Sequence, residues 1–523
     1  MTPEEMSKQV KQRVADETAR EKPSEKESNI TPEFVKACLE AEEIGDGILF
    51  AALHRGLFLY VESTGHWLRW AGHHWTHDEN RQAEAAVENV VAVYARTAVQ
   101  TGKEIRELQG QEDAESKIKR LTAYKKALEK RCRDLRRIRR RNNCLEAAHT
   151  CKDPLSIHGR ELDQNPWLLP CANGVVELKT GRLRPGKPED YLLRACPTEY
   201  QGIDAPCPVW QEAIHAIMNG VDSMVGGLQR LFGYSLVAAV IEHIFILLTG
   251  PGGRNGKTAI LEALADILGP LAGPIRSEML LDTYQIQSSS SPTPDIMALR
   301  GRRLAFASET KDGVRLSANK IKLFTGGDQL TGRNPHDKYE TTFNPTHTLI
   351  LSSNYRPEVD AKDQALWDRI INVPFEVRFV SGREPKAENE RKADPYLREK
   401  LRAEAPGILG WLVEGCLKWQ IQGLDLPEKI SNETQQYQQE EDVWQKFYDE
   451  CVEPGDDLSV SAQELYDVFV LWWKKNVSKN APKQQKFGRM IRPMFLDKKQ
   501  STGGVTWYYG GCLSEAGQEF LSG

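Results

Sequence analysis

A chain of 523 residues is longer than one hydrophobic core supports, and at about 150 residues per domain it predicts three or four domains. Its 27% charged and 40% hydrophobic residues describe a globular protein in water. A net charge of -5 excludes a uniformly basic coat, so any nucleic-acid contact has to come from local patches.

The amino terminus, "MTPEEMSKQVKQRV", lacks the apolar stretch of a secretory signal, which predicts a cytoplasmic protein. Residues 1–30 are rich in Glu, Lys and Ser and predict a flexible tail. Trp67, Trp70 and Trp75 then mark short strands or turns of a packed amino-terminal region. Residues 117–141 carry thirteen Lys and Arg against Glu129 and Asp134. Ile118, Leu121, Leu128, Leu135 and Ile138 fall at helical steps, so the segment predicts one cationic helix with an apolar seam. Two readings of it stand side by side: a solvated helix packed on its own domain, and a collar touching nucleic-acid phosphates. Cys144, His149, Cys151 and His158 cluster nearby, but their spacing matches no familiar zinc site and reads as core and loop. The ten cysteines form no C-x-x-C pair, as expected of reduced thiols in a cytosolic chain.

Farther along, "WLLPCANGVVELKTGRLRPG" predicts two short strands joined by a tight turn at Asn173 and Gly174. A helical stretch over 208–240 leads into the strand "HIFILL". The apolar run here, "LVAAVIEHIFILLTG", is interrupted by Glu242 and His243, too early for a membrane span of about 20 residues. Alternating buried strands and amphipathic helices from about 205 to 380 predict an α/β sheet domain.

"GPGGRNGKT" follows that strand directly. Pro251 occupies the first-glycine position of the usual G-x-x-x-x-G-K-[ST] spacing, with Gly250 one residue earlier. A phosphate loop needs a delivering strand, small residues whose N–H groups turn inward, and a helix starting at the loop. All three are present: "IFILL", then Gly250, Gly252, Gly253, Asn255 and Gly256, then "KTAILEALADIL". Lys257 is placed to reach the β- and γ-phosphates of ATP, and the Thr258 hydroxyl to ligate Mg2+. Hydrolysis also requires an acid to activate water and a polar side chain near the γ-phosphate. "RLAFASE" ends at Glu309, a candidate base that also reaches Mg2+ through water, and "HTLILSSN" ends at Asn354. Arg369 in "ALWDRIINVPF" is either a surface arginine in an ion pair with Asp368 or another acid, or an arginine acting on a neighbour's phosphoryl group. Between the two strands, "NPHDK" flanked by β-formers predicts a hairpin. Near the carboxyl terminus two helices and a hairpin suggest a winged helix. Lys483, Lys486, Arg489 and Arg492 recur every three residues on its second helix, offering one face to duplex DNA.

The ordered set "GPGGRNGKT", "RLAFASET", "LFTGGDQLTGRN", "HTLILSSN" and "ALWDRIINVPF" resembles the helicase module of superfamily 3. Within it the likeness is to phage, plasmid and satellite primase-helicases related to the poxvirus enzyme, over roughly residues 155 to 512. The resemblance implies an AAA+ ATPase that assembles as a homo-oligomeric ring, usually a hexamer, and moves 3′ to 5′ on single-stranded and forked DNA during replication of a phage or mobile element, with the host cytosol bacterial. It casts Lys257 and Thr258 as the Walker A pair, Glu309 as the Walker B acid, Asn354 as the sensor and Arg369 as the arginine finger. His336 and Lys338, at the hairpin tip, are then the candidates for gripping DNA. Many members end the Walker B strand in two acids, whereas Ser308 precedes Glu309 here, which shifts metal coordination toward Thr258 and water. No polymerase-type aspartate pair and no zinc ribbon precede residue 155, so any primase is expected to be a separate partner. An origin-binding initiator that leaves unwinding to another helicase is the alternative. The expected layout is a tail (1–30), an amino-terminal domain (31–200), an ATPase domain (205–395), a helical connector (396–445) and a winged helix (446–523).

Overall fold

The computed structural model describes residues 30–111, 114–282, 291–308, 314–335, 340–361, 363–477, 479–500 and 504–522. The chain divides into two compact units, Met1–Gln164 with Gly186–Arg194, and Asn165–Pro185 with Ala195–Gly523. The strands after residue 165, grouped by sequence with the amino-terminal domain, therefore belong to the second unit.

The first unit packs helices α1 (Pro32–Glu40), α2 (Glu42–His54), α3 (Gln82–Leu108), α4 (Glu115–Leu135) and α5 (Ile138–Thr150) with a small sheet. That sheet contains β1 (Phe58–Val61), β2 (His66–Trp70), β3 (Trp75–His77) and β4 (Ser156–Ile157), in the order β3-β2-β1-β4. The tryptophans serve this core: Trp75 is buried, donates from Nε1 to the Pro188 carbonyl at 2.9 Å, and meets Trp70 edge-on. The basic segment is two helices rather than one. Arg137 is extended (φ -85°, ψ 134°), which breaks the helical phase after α4 and leaves Ile138, expected on the seam, 79% exposed. Leu128 and Leu135 are buried as expected. The inward Arg131 and Arg140, like the exposed Arg136, are matched by carboxylates. Arg131 lies 2.6 Å from Asp46 and 2.9 Å from Glu42, Arg140 lies 3.0 Å from Asp46, and Arg136 lies 2.7 Å from Glu88. Cys144 is buried, and His149 stacks on Tyr60 at 3.8 Å. No cluster able to hold a metal ion occurs among the described residues.

In the second unit, β5 (Leu168–Cys171), β6 (Gly174–Glu177) and β7 (Arg182–Arg184) form an antiparallel sheet. Cys171 pairs with Gly174, so the turn is Ala172 and Asn173, one residue earlier than the Asn-Gly reading. The Asn173 side chain sets it there by exchanging two hydrogen bonds with the Tyr200 backbone, both 3.0 Å. The predicted helical stretch is α6 (Pro208–Ile217) and α7 (Asp222–Tyr234), separated at Asn219 and Gly220, both with positive φ.

The central sheet contains β8 (Phe245–Thr249), β9 (Ala272–Pro274), β10 (Leu304–Ser308), β13 (Thr348–Ser353) and β14 (Ile370–Pro374). All neighbours are parallel, in the order β14-β8-β13-β10-β9. Side chains alternate between two cores. Ile246, Leu248, Ile350 and Phe306 face one, with α7, α8 (Lys257–Leu268) and α11 (Ala405–Gln422); Phe245, Leu247, Ala305 and Leu349 face the other, with α9 (Ala318–Thr325). Burial on both faces is what a parallel sheet requires. Between β10 and β13, β11 (Leu330–Gly332) and β12 (Thr341–Phe343) pair antiparallel. Along the outer edge of β14 runs α12 (Glu428–Cys451), where the Asn372 N–H donates to Thr434 Oγ1 at 3.0 Å.

The expected connector thus contributes to the core. After β15 (Arg378–Val380), β16 (Glu390–Lys392) and α10 (Leu397–Ala403), α11 crosses α7 so tightly that a Cβ on Gly415 would stand 2.0 Å from the Gln229 carbonyl. The carboxyl-terminal region comprises β17 (Val452–Ser461), α13 (Ala462–Asn476), α14 (Gln484–Ile491), β18 (Asp497–Gln500), β19 (Thr506–Leu513) and α15 (Glu515–Ser522). The two helices and hairpin are as expected. The strand β17, which pairs with β19, had no counterpart in the sequence reading.

Candidate functional site

Because the central strands are parallel, their carboxyl ends lie on one edge, where ligands of open α/β sheets bind. The segment 250–256 leaves β8 at that edge and delivers the chain into α8. Its glycines do different work. Gly252 and Gly253 hold φ of 75° and 68°, which glycine tolerates without strain, and Arg254 holds 55°. Gly250 has no such angle. It is glycine because a Cβ would lie 2.3 Å from the Phe375 carbonyl and 2.4 Å from Asn255 Nδ2. The turn proper is therefore made by Gly252 and Gly253, with Gly250 as the close approach.

Lys257 opens α8 and is 4% exposed. Its ammonium donates to Gly250 O (3.1 Å), Asn255 Oδ1 (2.8 Å) and Asn354 Oδ1 (3.2 Å), three neutral oxygens. Among the described residues it makes no ion pair, and burial pulls its pKa down to about 8. Asn255 is buried with its Nδ2 donor unpartnered among the described residues. A buried cation with no counter-charge, beside an unused N–H, needs an anion. The residues thus fit a phosphate. Thr258 is exposed on the first turn of α8, open to a metal bound with it.

Asn354 follows β13, the strand next to β8, which is how it reaches Lys257. The neighbouring strand β10 ends at Ser308, whose partner is Ser352. Glu309 lies outside the described residues, as do His336 and Lys338. Arg369 stands elsewhere. It precedes β14, its carbonyl accepting from the Phe245 N–H at 2.6 Å, at the opposite end of the sheet from the loop. Arg369 is level with Ile244, six residues before Gly250, so at about 3.3 Å per strand residue the two are separated by roughly 20 Å. Its guanidinium donates to the Ala365 carbonyl, while Asp368 accepts from Gln364 at 2.7 Å, so the expected Arg369–Asp368 pair is not formed.

On one side of the loop a cleft of about 580 Å³ opens, floored by Asn255, Lys257 and Thr258. Its apolar wall comes from Val209, Ala213 and Ile217 of α6 and from Phe379, whose N–H donates to the Arg254 carbonyl at 2.7 Å. On the other side is a cavity of about 440 Å³ lined by Gly250, Asn354 and Tyr355 and by α14. Sequence missed this second cavity. In it Arg356 pairs with Glu433 (2.6 Å) and Glu440 (3.2 Å), and burial, with Glu358 and Glu440 adding like charge, pushes Glu441 up to about 8. Of the four cations on α14 and its caps, the two within the helix face it: Lys486 lies 3.6 Å from Glu440, and Arg489 lies over the Tyr355 ring at 5.5 Å. Lys483 and Arg492 are exposed. Another contact absent from the sequence reading is Thr249 Oγ1 donating to the buried Asn372 Oδ1 at 2.7 Å, which ties β8 to β14 just below the loop.

Residues 47–219 match the family model described as D5 N terminal like. The chain is similar to a protein named "Putative helicase" from Acanthamoeba polyphaga mimivirus, 28% identical over 350 residues, covering 64% of this chain and 36% of that protein. It is also similar to a "Putative primase" of African swine fever virus (24% over 344 residues; 61% and 34%) and a "Putative helicase" of Frog virus 3 (24% over 420 residues; 66% and 42%). The chain thus spans about a third to two fifths of the length of these relatives. Among solved structures, the A form apo structure of the NrS-1 C terminal region aligns at 12% identity with a TM-score of 0.36, covering 61% of this chain and 80% of that one. No described helix is long and apolar enough to cross a membrane.

Proposed function

We propose that this chain is an ATP-driven DNA helicase subunit of the superfamily 3 type, with an AAA+ core, acting in replication of a viral, phage or mobile-element genome. The observation that carries the reading is Lys257, a buried ammonium held by neutral oxygens at the mouth of a glycine-rich loop. The strand order supports it: the loop strand β8 is flanked by β13 with its terminal Asn354, and β10 lies one strand farther out. The names of the large-DNA-virus relatives point the same way.

In this reading the triphosphate of ATP lies along 250–258, and the base enters the cleft walled by α6 and Phe379. Lys257 passes from Asn354 and Gly250 to the phosphates. Thr258, with Glu309 through water, would hold Mg2+, which when bound would supply positive charge to offset that of the phosphates. Glu309 takes a proton from the attacking water as the new P–O bond forms and the bond to ADP breaks; Asn354 orients that water. Arg369, remote from its own loop, serves the site of the neighbouring subunit in a ring, a hexamer by resemblance. His336 and Lys338 grip the DNA strand being moved 3′ to 5′, and Lys483 and Arg492 are the α14 cations open to duplex.

The test is phosphate release and forked-duplex unwinding by the purified full chain. Lys257→Ala is expected to abolish both; hydrolysis that survives it refutes the assignment. ATP hydrolysis without strand separation would instead identify an initiator.

A further inference from the structure

We propose that the solvent face of α4 is a second polyanion site, a docking surface for the sugar-phosphate backbone of nucleic acid that works without nucleotide at Lys257. It stands apart from the ATPase reading, since it uses other residues in the other unit.

At 100° per residue, Lys119, Lys126, Lys130 and Arg133 fall within an arc of about 60°, opposite the buried Leu128 and Leu135. All four are exposed. From 119 to 133 the helix rises about 21 Å, a length over which one strand of duplex presents about six phosphates. Between them on that face stands Ala123, and no acid is interposed. Among the described residues none of these four forms an ion pair. The contrast with the inner face is the second observation. There Arg131 and Arg140 meet the carboxylates of Asp46 and Glu42. This unit neutralises cations wherever its own packing needs them and leaves one continuous row unmatched. Like charges three and four residues apart destabilise a helix, so the row is a standing cost that an external polyanion removes.

The chemistry of the row selects the partner. A membrane surface would need an apolar flank to insert, and the arc carries none. A protein partner would need aromatic or aliphatic anchors for its hot spots, and these are absent from the arc as well. A row of cations along one helix face without apolar anchors matches a regularly charged backbone, bound without base preference.

The experiment uses the full chain carrying Lys257→Ala, without nucleotide, so that hydrolysis and movement play no part. Fluorescence anisotropy reads binding to a mixed-sequence 30-base single strand and its duplex over a salt series. The combined variant Lys119→Gln, Lys126→Gln, Lys130→Gln, Arg133→Gln should weaken binding about tenfold or more at low salt. It should also reduce the slope of log K against log salt by about 3, at 0.7 to 0.9 per phosphate contact. A control with the same loss of charge, Lys36→Gln, Arg81→Gln, Lys152→Gln, Arg160→Gln, should retain the slope. Circular dichroism verifies that both variants fold, and Lys126→Glu alone should already weaken binding. A larger loss on duplex than on single strand, or the reverse, identifies the form bound. Unchanged affinity and slope, equal loss in the control, or binding to phosphatidylserine vesicles in place of oligonucleotide overturns the proposal. Failure here leaves the Lys257 assignment untouched, because that is read by phosphate release.

Discussion

Lys257 is the residue on which the site turns. Its three partners are all neutral, and burial brings its pKa from 10.5 to about 8. The folded value lies below the unfolded one, so the unliganded chain gains stability from this group as pH rises from about 8 toward 10.5. A phosphate beside the ammonium restores the charged form, so binding a non-hydrolysable ATP analogue at pH 8 should take up close to half a proton. Calorimetry in buffers of differing ionisation enthalpy measures this, and Lys257→Met should remove it; an uptake unchanged in the variant would place the titration elsewhere. The loop, its lysine and the strand leading to Asn354 were legible in sequence because each is a local pattern. The role of Gly250 was not, since what crowds it is Phe375, 125 residues later in the chain.

Among the elements, α4 shows what periodicity can and cannot give. The spacing of leucines identified the buried side, but the break at Arg136 and Arg137 is invisible to a composition that stays basic throughout. Nor could spacing reveal that Arg131 points inward, to the buried Asp46 that also accepts from Tyr94 at 3.1 Å. Removing Arg131 leaves the buried Asp46 with only Arg140 and Tyr94 as partners among the described residues, so Arg131→Leu should cost about 2 kcal/mol or more of stability. Urea unfolding of the full chain checks it, and Asp46→Leu, which strands Arg131 and Arg140 together, should cost more. Helix α11 was read as a connector for a related reason. Its apolar residues run round much of the helix, from Ile408 to Trp419, leaving no amphipathic stripe to assign it to a surface. The strand β17 was missed because "VEPGDDLSVS" is polar and contains proline, and pairing with β19 overrides its composition.

For the whole molecule, the sequence yielded the order of motifs but not their distances. Arg369 reads as a site residue in one dimension and stands roughly 20 Å from its own loop in three. If copies share sites, the two defects complement. Lys257→Ala and Arg369→Ala subunits, each inactive alone, should hydrolyse ATP when mixed in equal amounts. About a quarter of the interfaces then combine an intact loop with an intact arginine, provided association is head-to-tail. A mixture as inactive as its components removes Arg369 from its role.

The flanks of the central sheet carry a consequence of their own for such crowding. An open strand margin is adhesive toward any other extended chain. Here one margin, β14, has an N–H occupied by Thr434 from α12, and the opposite one, β9, is three residues long and ends in proline. At these two margins, copies pressed together meet little open strand to pair with. They are left free to recognise one another by shape and charge, and an accidental encounter between two of them stays reversible.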